Sequence, residues 1–180
     1  MGYDVAVTLT RERVPERRLL GLIAGEIASV SPNSETYILL TDRGKPQGFS
    51  IWSSDPWSEP GGFDLFDMCG RLCNQIGPLC TAWKSDHGGC AGWVIHRPGL
   101  PVECDDTSKG DYDLWLPPAV EKAFSICLHV PEEDIDIFPE LFFAQERGYR
   151  VEAGKANRLS RKGARRVWDR QTSAEPTFPV

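Results

Sequence analysis

Apolar and small polar residues alternate along residues 3–10, YDVAVTLT, at the period of two expected of a half-buried strand. The period changes after Val14-Pro15-Glu16. Leu19, Leu20, Ile23 and Ile27 then recur at helical spacing, with Pro15 at a first-turn position and Glu16 near the positive end of the helix dipole. Ser31-Pro32-Asn33 ends that helix. Residues 36–41 and 47–53 read as two strands joined through Asp42-Arg43-Gly44-Lys45-Pro46. A Pro/Gly/Ser loop, SSDPWSEPGG, leads to Asp64 as an N-cap. A second helix follows, whose apolar face is Leu65, Met68, Cys69, Leu72, Cys73 and Ile76, until Gly77-Pro78 stops it. Residues 79–84 resume as strand.

Strand, helix, strand, strand, helix, strand is the order of the ferredoxin-like βαββαβ unit, here filling residues 3–84. The alternation continues in residues 90–96, so Ser85-Asp86-His87-Gly88-Gly89 reads as a hairpin loop, and residues 100–104 read as a further short strand. Residues 105–118, DDTSKGDYDLWLPP, form an acidic loop with aromatics inside it. Residues 119–130 fit both periods, with the second half read as strand, and the acids of Pro131-Glu132-Glu133-Asp134 mark a helix start. The tail is read as a marginal basic helix at 156–170 followed by disorder. The expected architecture is α+β: a mainly antiparallel sheet with two or three helices on one side, one domain at residues 1–150, and a basic tail at 151–180.

Composition narrows this picture. At 180 residues and 41% hydrophobic, the chain can bury one core. Residues 1–14 hold no apolar signal core and no window is a membrane span, which points to a cytoplasmic protein with no membrane partner. Six cysteines without a secretory signal are read as reduced thiols. The net charge of −6 is unevenly spread: residues 147–180 carry nine Lys or Arg against three acids, and residues 1–146 carry 11 against 23. An anionic body repels a phosphate backbone and suits a basic protein partner.

Candidate chemistry is thin. His87 and Cys90 could pair as base and thiolate, or join Cys69, Cys73 and Cys80 around zinc, giving a small thiol- or zinc-dependent enzyme. Their spacing matches neither a nucleophile motif nor a zinc ribbon, and a free cysteine on an apolar helix face behaves as a small hydrophobe. The tail residues Arg158, Arg161, Lys162, Arg165 and Arg166 could serve an RNA-associated adaptor, though the acidic body opposes that use. Glycine-rich phosphate loops, nucleophile elbows and paired-histidine zinc motifs are all missing from the sequence. The expectation is therefore a binding protein, not an enzyme, with no cofactor.

The segments ECDDTSKGDYDLWLPP and VPEEDIDIFPELFF set carboxylates beside bulky apolar side chains. In size, charge and organisation the chain resembles the immunity proteins of bacterial polymorphic and interbacterial toxin systems. That resemblance implies a heteromeric complex with a cognate basic toxin, whose active-site cleft an acidic-aromatic surface would occlude. The residues expected to make that surface are Trp57, Asp105, Asp106, Asp111, Asp113, Trp115, Glu132, Glu133, Asp134 and Asp136.

Overall fold

The computed structural model describes residues 4–30, 35–41, 46–53, 65–85, 90–106, 118–135 and 147–172. The first strand, β1 (Asp4–Thr10), leads into α1 (Glu16–Val30), then β2 (Thr36–Thr41), β3 (Gln47–Ser53), α2 (Leu65–Ile76) and β4 (Leu79–Ser85). In the sheet these four strands lie in the order β4-β1-β3-β2, all antiparallel, with α1 and α2 between the strands that they connect in sequence. The βαββαβ unit is therefore present over the span predicted for it.

Four more strands widen the sheet. β5 (Cys90–His96) and β6 (Glu103–Asp106) extend it beyond β4, while β7 (Arg147–Glu152) and β8 (Lys155–Arg158) extend it beyond β2. The result is one 8-stranded antiparallel sheet in the order β6-β5-β4-β1-β3-β2-β7-β8. It is an α+β fold with a mainly sheet core. No described helix is long and apolar enough to cross a membrane.

Strand alternation divides the core in two. Ala6, Ile38, Leu40, Phe49, Ile51, Tyr149 and Val151 face α1 and α2, where Leu19, Ile23, Ile27, Met68 and Leu72 are buried. Val7, Leu9, Tyr37, Leu39, Cys80, Ala82 and Ile95 face the other way. Helices along one side are thus found as expected, and the opposite face is covered as well. It packs under α3 (Pro118–Leu128) and α4 (Arg161–Thr172) through Val120, Phe124, Leu128, Ala164 and Val167.

Several predicted segments differ from the structure: the short strand read at 100–104 lies at Glu103–Asp106, and the helix start read at Pro131 is a single 3-10 turn, Glu132–Asp134. The second half of residues 119–130 is helix, not strand: Val120, Phe124, Cys127 and Leu128 recur at helical spacing and turn inward, leaving Ile126 in solvent. A strand there would need a ladder partner, whereas a helix satisfies its own backbone and covers the sheet. His129 takes φ +56° and the Val130 amide donates to Ser125 carbonyl at 3.3 Å, a Schellman-type ending. The tail, read as helix from residue 156, first forms β8 against β7. Only then does Ser160, which accepts from the Gly163 amide at 3.1 Å, start α4.

Glu16, in the first turn of α1, accepts hydrogen bonds from Arg147 and Tyr149 of β7, tying the helix start to the added strand. At the same end of the sheet, buried Gln47 brackets Val14: its Oε1 accepts from the Val14 amide at 2.9 Å and its Nε2 donates to the Val14 carbonyl at 2.8 Å. This fixes the bend between β1 and α1.

Candidate interaction surface

β5 and β6 are joined by the turn Arg97-Pro98-Gly99-Leu100. Proline presets its first central position, Gly99 takes φ +71°, and the Leu100 amide donates to Arg97 carbonyl at 3.2 Å, as a type II turn requires. The turn holds Leu100 and Val102 out in solvent, 60% and 55% exposed. Across its base Arg97 Nη1 meets Glu103 Oε2 at 2.9 Å. β5, which leads into the turn, packs against α3, with Trp93 edge-on to Phe124 and Ile95 in the same core layer as Cys127 and Leu128. On α3 Ile126 is 64% exposed.

Beyond α3 the chain makes a single 3-10 turn, Glu132–Asp134, in contact with the helix. The Asp134 amide donates to Pro131 carbonyl at 2.9 Å and the Ile135 amide to Glu132 carbonyl at 3.0 Å, while buried Ile135 anchors the turn in the core. Glu132 and Glu133 are therefore held in solvent, and Asp134 is half-buried. Asp134 also lines a cleft of about 180 Å³ with Arg11, Arg13, Gln47 and Val130, at the end of the sheet where β1 finishes.

The sequence-predicted residues fall into three groups. Glu132, Glu133 and Asp134 lie together on the 3-10 turn, not on the regular helix start expected for them. Asp105 and Asp106 stand on β6, the edge strand, opposite Trp93 and Gly92. Trp57, Asp111, Asp113, Trp115 and Asp136 lie outside the described residues, as does His87; Cys90 is the first residue of β5, paired with Ser85. Trp52 sits in β3 against Tyr37, ring centroids 5.7 Å apart, and Trp93 meets Phe124 edge-on at 6.4 Å, so both rings serve the second core layer.

Among the described residues the thiols do not gather as a zinc site would need. Cys69 and Cys73 belong to the α1/α2 layer, and Cys80 belongs to the layer on the opposite face of the sheet. Cys69 lies near the Thr8 and Thr81 hydroxyls, at 3.7 and 3.8 Å, and Cys73 donates to Gly70 carbonyl at 3.2 Å. Among the described residues no group of three or more His, Cys, Asp or Glu side chains is placed to hold a metal ion.

Sequence reasoning missed the apolar part of this surface. Leu100, Val102 and Ile126 are three of the four large hydrophobic residues exposed among the described ones. Pro98-Gly99 was a readable turn signal, but Ile126 fits a core pattern on either period, and only its place on α3 turns it outward. No family model, curated protein or solved structure matches the chain.

Proposed function

We propose that this chain is an immunity-type inhibitor: a cytoplasmic binding protein that neutralises a cognate basic toxin by occluding its active-site cleft. The observation that carries the reading is the apolar-acidic composition of the surface around α3. Ile126 is exposed on α3, Leu100 and Val102 are exposed after the turn that ends β5, with Glu103 next to Val102 on β6, and Glu132 and Glu133 are exposed on the turn after α3. Exposed aliphatic side chains supply the desolvation that holds a complex, and the surrounding carboxylates steer a cationic partner and set the association rate. Carboxylates also stand in for the phosphate oxygens that a nucleotide- or nucleic-acid-handling cleft is built to hold. Asp105 and Asp106 on the same edge strand extend the negative charge.

The test is affinity capture from the native bacterial lysate with the wild-type chain and with Ile126→Asp and Glu132→Lys/Glu133→Lys variants, read by mass spectrometry. The expected result is a basic protein retained by wild type and lost from both variants. Expressed alone it should arrest growth, and co-expression with this chain should relieve the arrest. Recovery of no protein partner at low salt, or of a partner equally retained by both variants, would overturn the reading.

A further inference from the structure

The basic C-terminal region is built into the fold, at the end of the sheet remote from the acidic edge strand β6. A Cβ on Gly148 of β7 would meet Ala164 of α4, so this position faces the helix. Strand alternation puts Arg150 and Glu152 on the same face as Gly148, and the register sets Asn157 and Lys155 of β8 opposite them. All four of these polar residues are exposed, while Tyr149, Val151 and Ala156 turn the other way into the α1 layer. The last two strands thus leave a polar strip of sheet uncovered beside α4.

The helix is fixed against that strip. The Leu159 amide donates to Gly148 carbonyl at 2.8 Å, and Leu159 and Ser160 alone separate β8 from α4. Ala164 and Val167 are buried, so Arg161, Lys162, Arg165 and Arg166 are left on the exposed side of the helix. With Arg150 and Lys155 they outnumber the acids of the same two faces, Glu152 and Asp169. Glu152 lies 3.1 Å from Arg150 Nε, an exposed pair that water and salt already weaken.

We infer that this face binds duplex DNA through its phosphates, without reading base sequence. This goes beyond the inhibitor reading and uses the other end of the molecule. The acidic body does not forbid it: β6 and β8 are the two ends of the strand order, roughly 33 Å apart along the sheet at the usual strand spacing, against a screening length of about 8 Å at physiological salt. Lysine and arginine only donate hydrogen bonds, and phosphate oxygens only accept them. Other polyanions fit less well. Tyr37, opposite Arg150 in register, and Tyr149 are both buried, so neither ring offers a platform on which unpaired bases could stack. Ala164 and Val167 already pack in the core, so the outer side of α4 carries charge and not the apolar stripe that lies in a lipid surface. Duplex RNA is recognised through 2′-hydroxyls as well as phosphates, and cations grouped on one helix and one strip supply the phosphate contacts alone.

The test is fluorescence anisotropy of the full chain with a labelled DNA duplex of arbitrary sequence. Between about 50 and 200 mM salt the affinity should fall at least about a hundredfold, as neutralising four or more phosphates requires, and a scrambled duplex should bind equally. Arg165→Gln/Arg166→Gln, checked for folding by circular dichroism, should weaken binding about tenfold at low salt and make the salt slope shallower by about 2. Lys155→Gln on the sheet strip should make it shallower by about 1. Lys122→Ala, which removes an exposed cation from α3, should leave the affinity within about twofold. No binding to the duplex at low salt, an equal loss in Lys122→Ala, or an unchanged affinity in both other variants would overturn the inference. So would tighter binding to the matching single strand, to an RNA duplex, or to phosphatidylserine vesicles than to the DNA duplex.

Discussion

His96 ends β5 with its ring against α2, where a Cβ added at Gly70 would meet Cδ2 at 3.7 Å and Nε2 at 3.8 Å, ordinary van der Waals contact. It is buried, and its Nδ1 has no hydrogen-bond partner among the described residues. Burial lowers its affinity for a proton, and Asp67 only partly opposes this. Below the ordinary histidine value of 6.5 the unfolded chain therefore binds a proton that the folded chain refuses. Stability is complete above that value and falls as the pH drops beneath it. The urea midpoint of wild type should drop between pH 7.5 and 5, and His96→Leu should show a smaller drop than wild type over the same interval. Gly148 is a second position where one residue decides a contact: a Cβ there would lie 2.8 Å from Ala164 Cβ and 3.0 Å from Leu39 Cδ2. Gly148→Ala should destabilise by about 1–3 kcal/mol in thermal or urea unfolding, because α4 must back away from β7. The alternation of residues 90–96 placed His96 at the end of a strand. It gave no sign of Gly148, because the tightness of that contact belongs to a helix later in the chain.

At the scale of elements, β7 and β8 meet in a two-residue turn, Ala153-Gly154, with φ +49° and +73°. A right-handed twisted hairpin favours this geometry, and it costs a residue with a Cβ roughly 1 kcal/mol unless a short polar side chain compensates. Ala153→Asn should raise stability by about 0.5–1 kcal/mol, read as a shift in urea midpoint at constant slope. Neither strand was predicted. Tyr149 and Val151 do alternate with exposed Arg150 and Glu152, but two apolar residues make a weak pattern, and β8 buries almost nothing. Each becomes a strand because β2 offers an unpaired edge, first to β7 and through it to β8. The helix α3 was obscured differently. Ser125-Ile126-Cys127-Leu128 satisfies a period of two locally, and the deciding residues Val120 and Phe124 lie a turn or more upstream. By contrast β1, α1, β2, β3, α2 and β4 were legible throughout, since each carries its period over most of its length and has a stop signal at its end.

For the whole molecule the charge is polarised across the sheet. The edge strand β6 carries Glu103, Asp105 and Asp106, and the opposite edge strand β8 carries Lys155 and Arg158, with the basic helix α4 following. Charged edges discourage strand-to-strand aggregation, and the separation leaves one end of the sheet suited to a cationic partner. The C-terminal segment is also structural: Ala164 and Val167 are 1% and 5% exposed within the second core layer. Truncation after residue 158 should therefore lower unfolding stability by at least about 2 kcal/mol through lost apolar burial. A loose basic appendage would leave the unfolding curve unchanged, so a denaturant titration of the truncated chain separates the two cases.

The sequence alone determined the periods, and with them the α+β class, the central βαββαβ unit and the faces that β1 to β4 turn to either side. Those properties depend on neighbours a few residues apart, where strand pleat and helix pitch act. The tertiary structure decided what required partners distant in the chain. It placed two further strands on each edge of the sheet, set α3 and α4 over its second face, turned Ile126 outward and left Leu100 and Val102 exposed after the β5–β6 turn. No local pattern specifies such contacts, because each is chosen by the surface left uncovered once the local elements have packed.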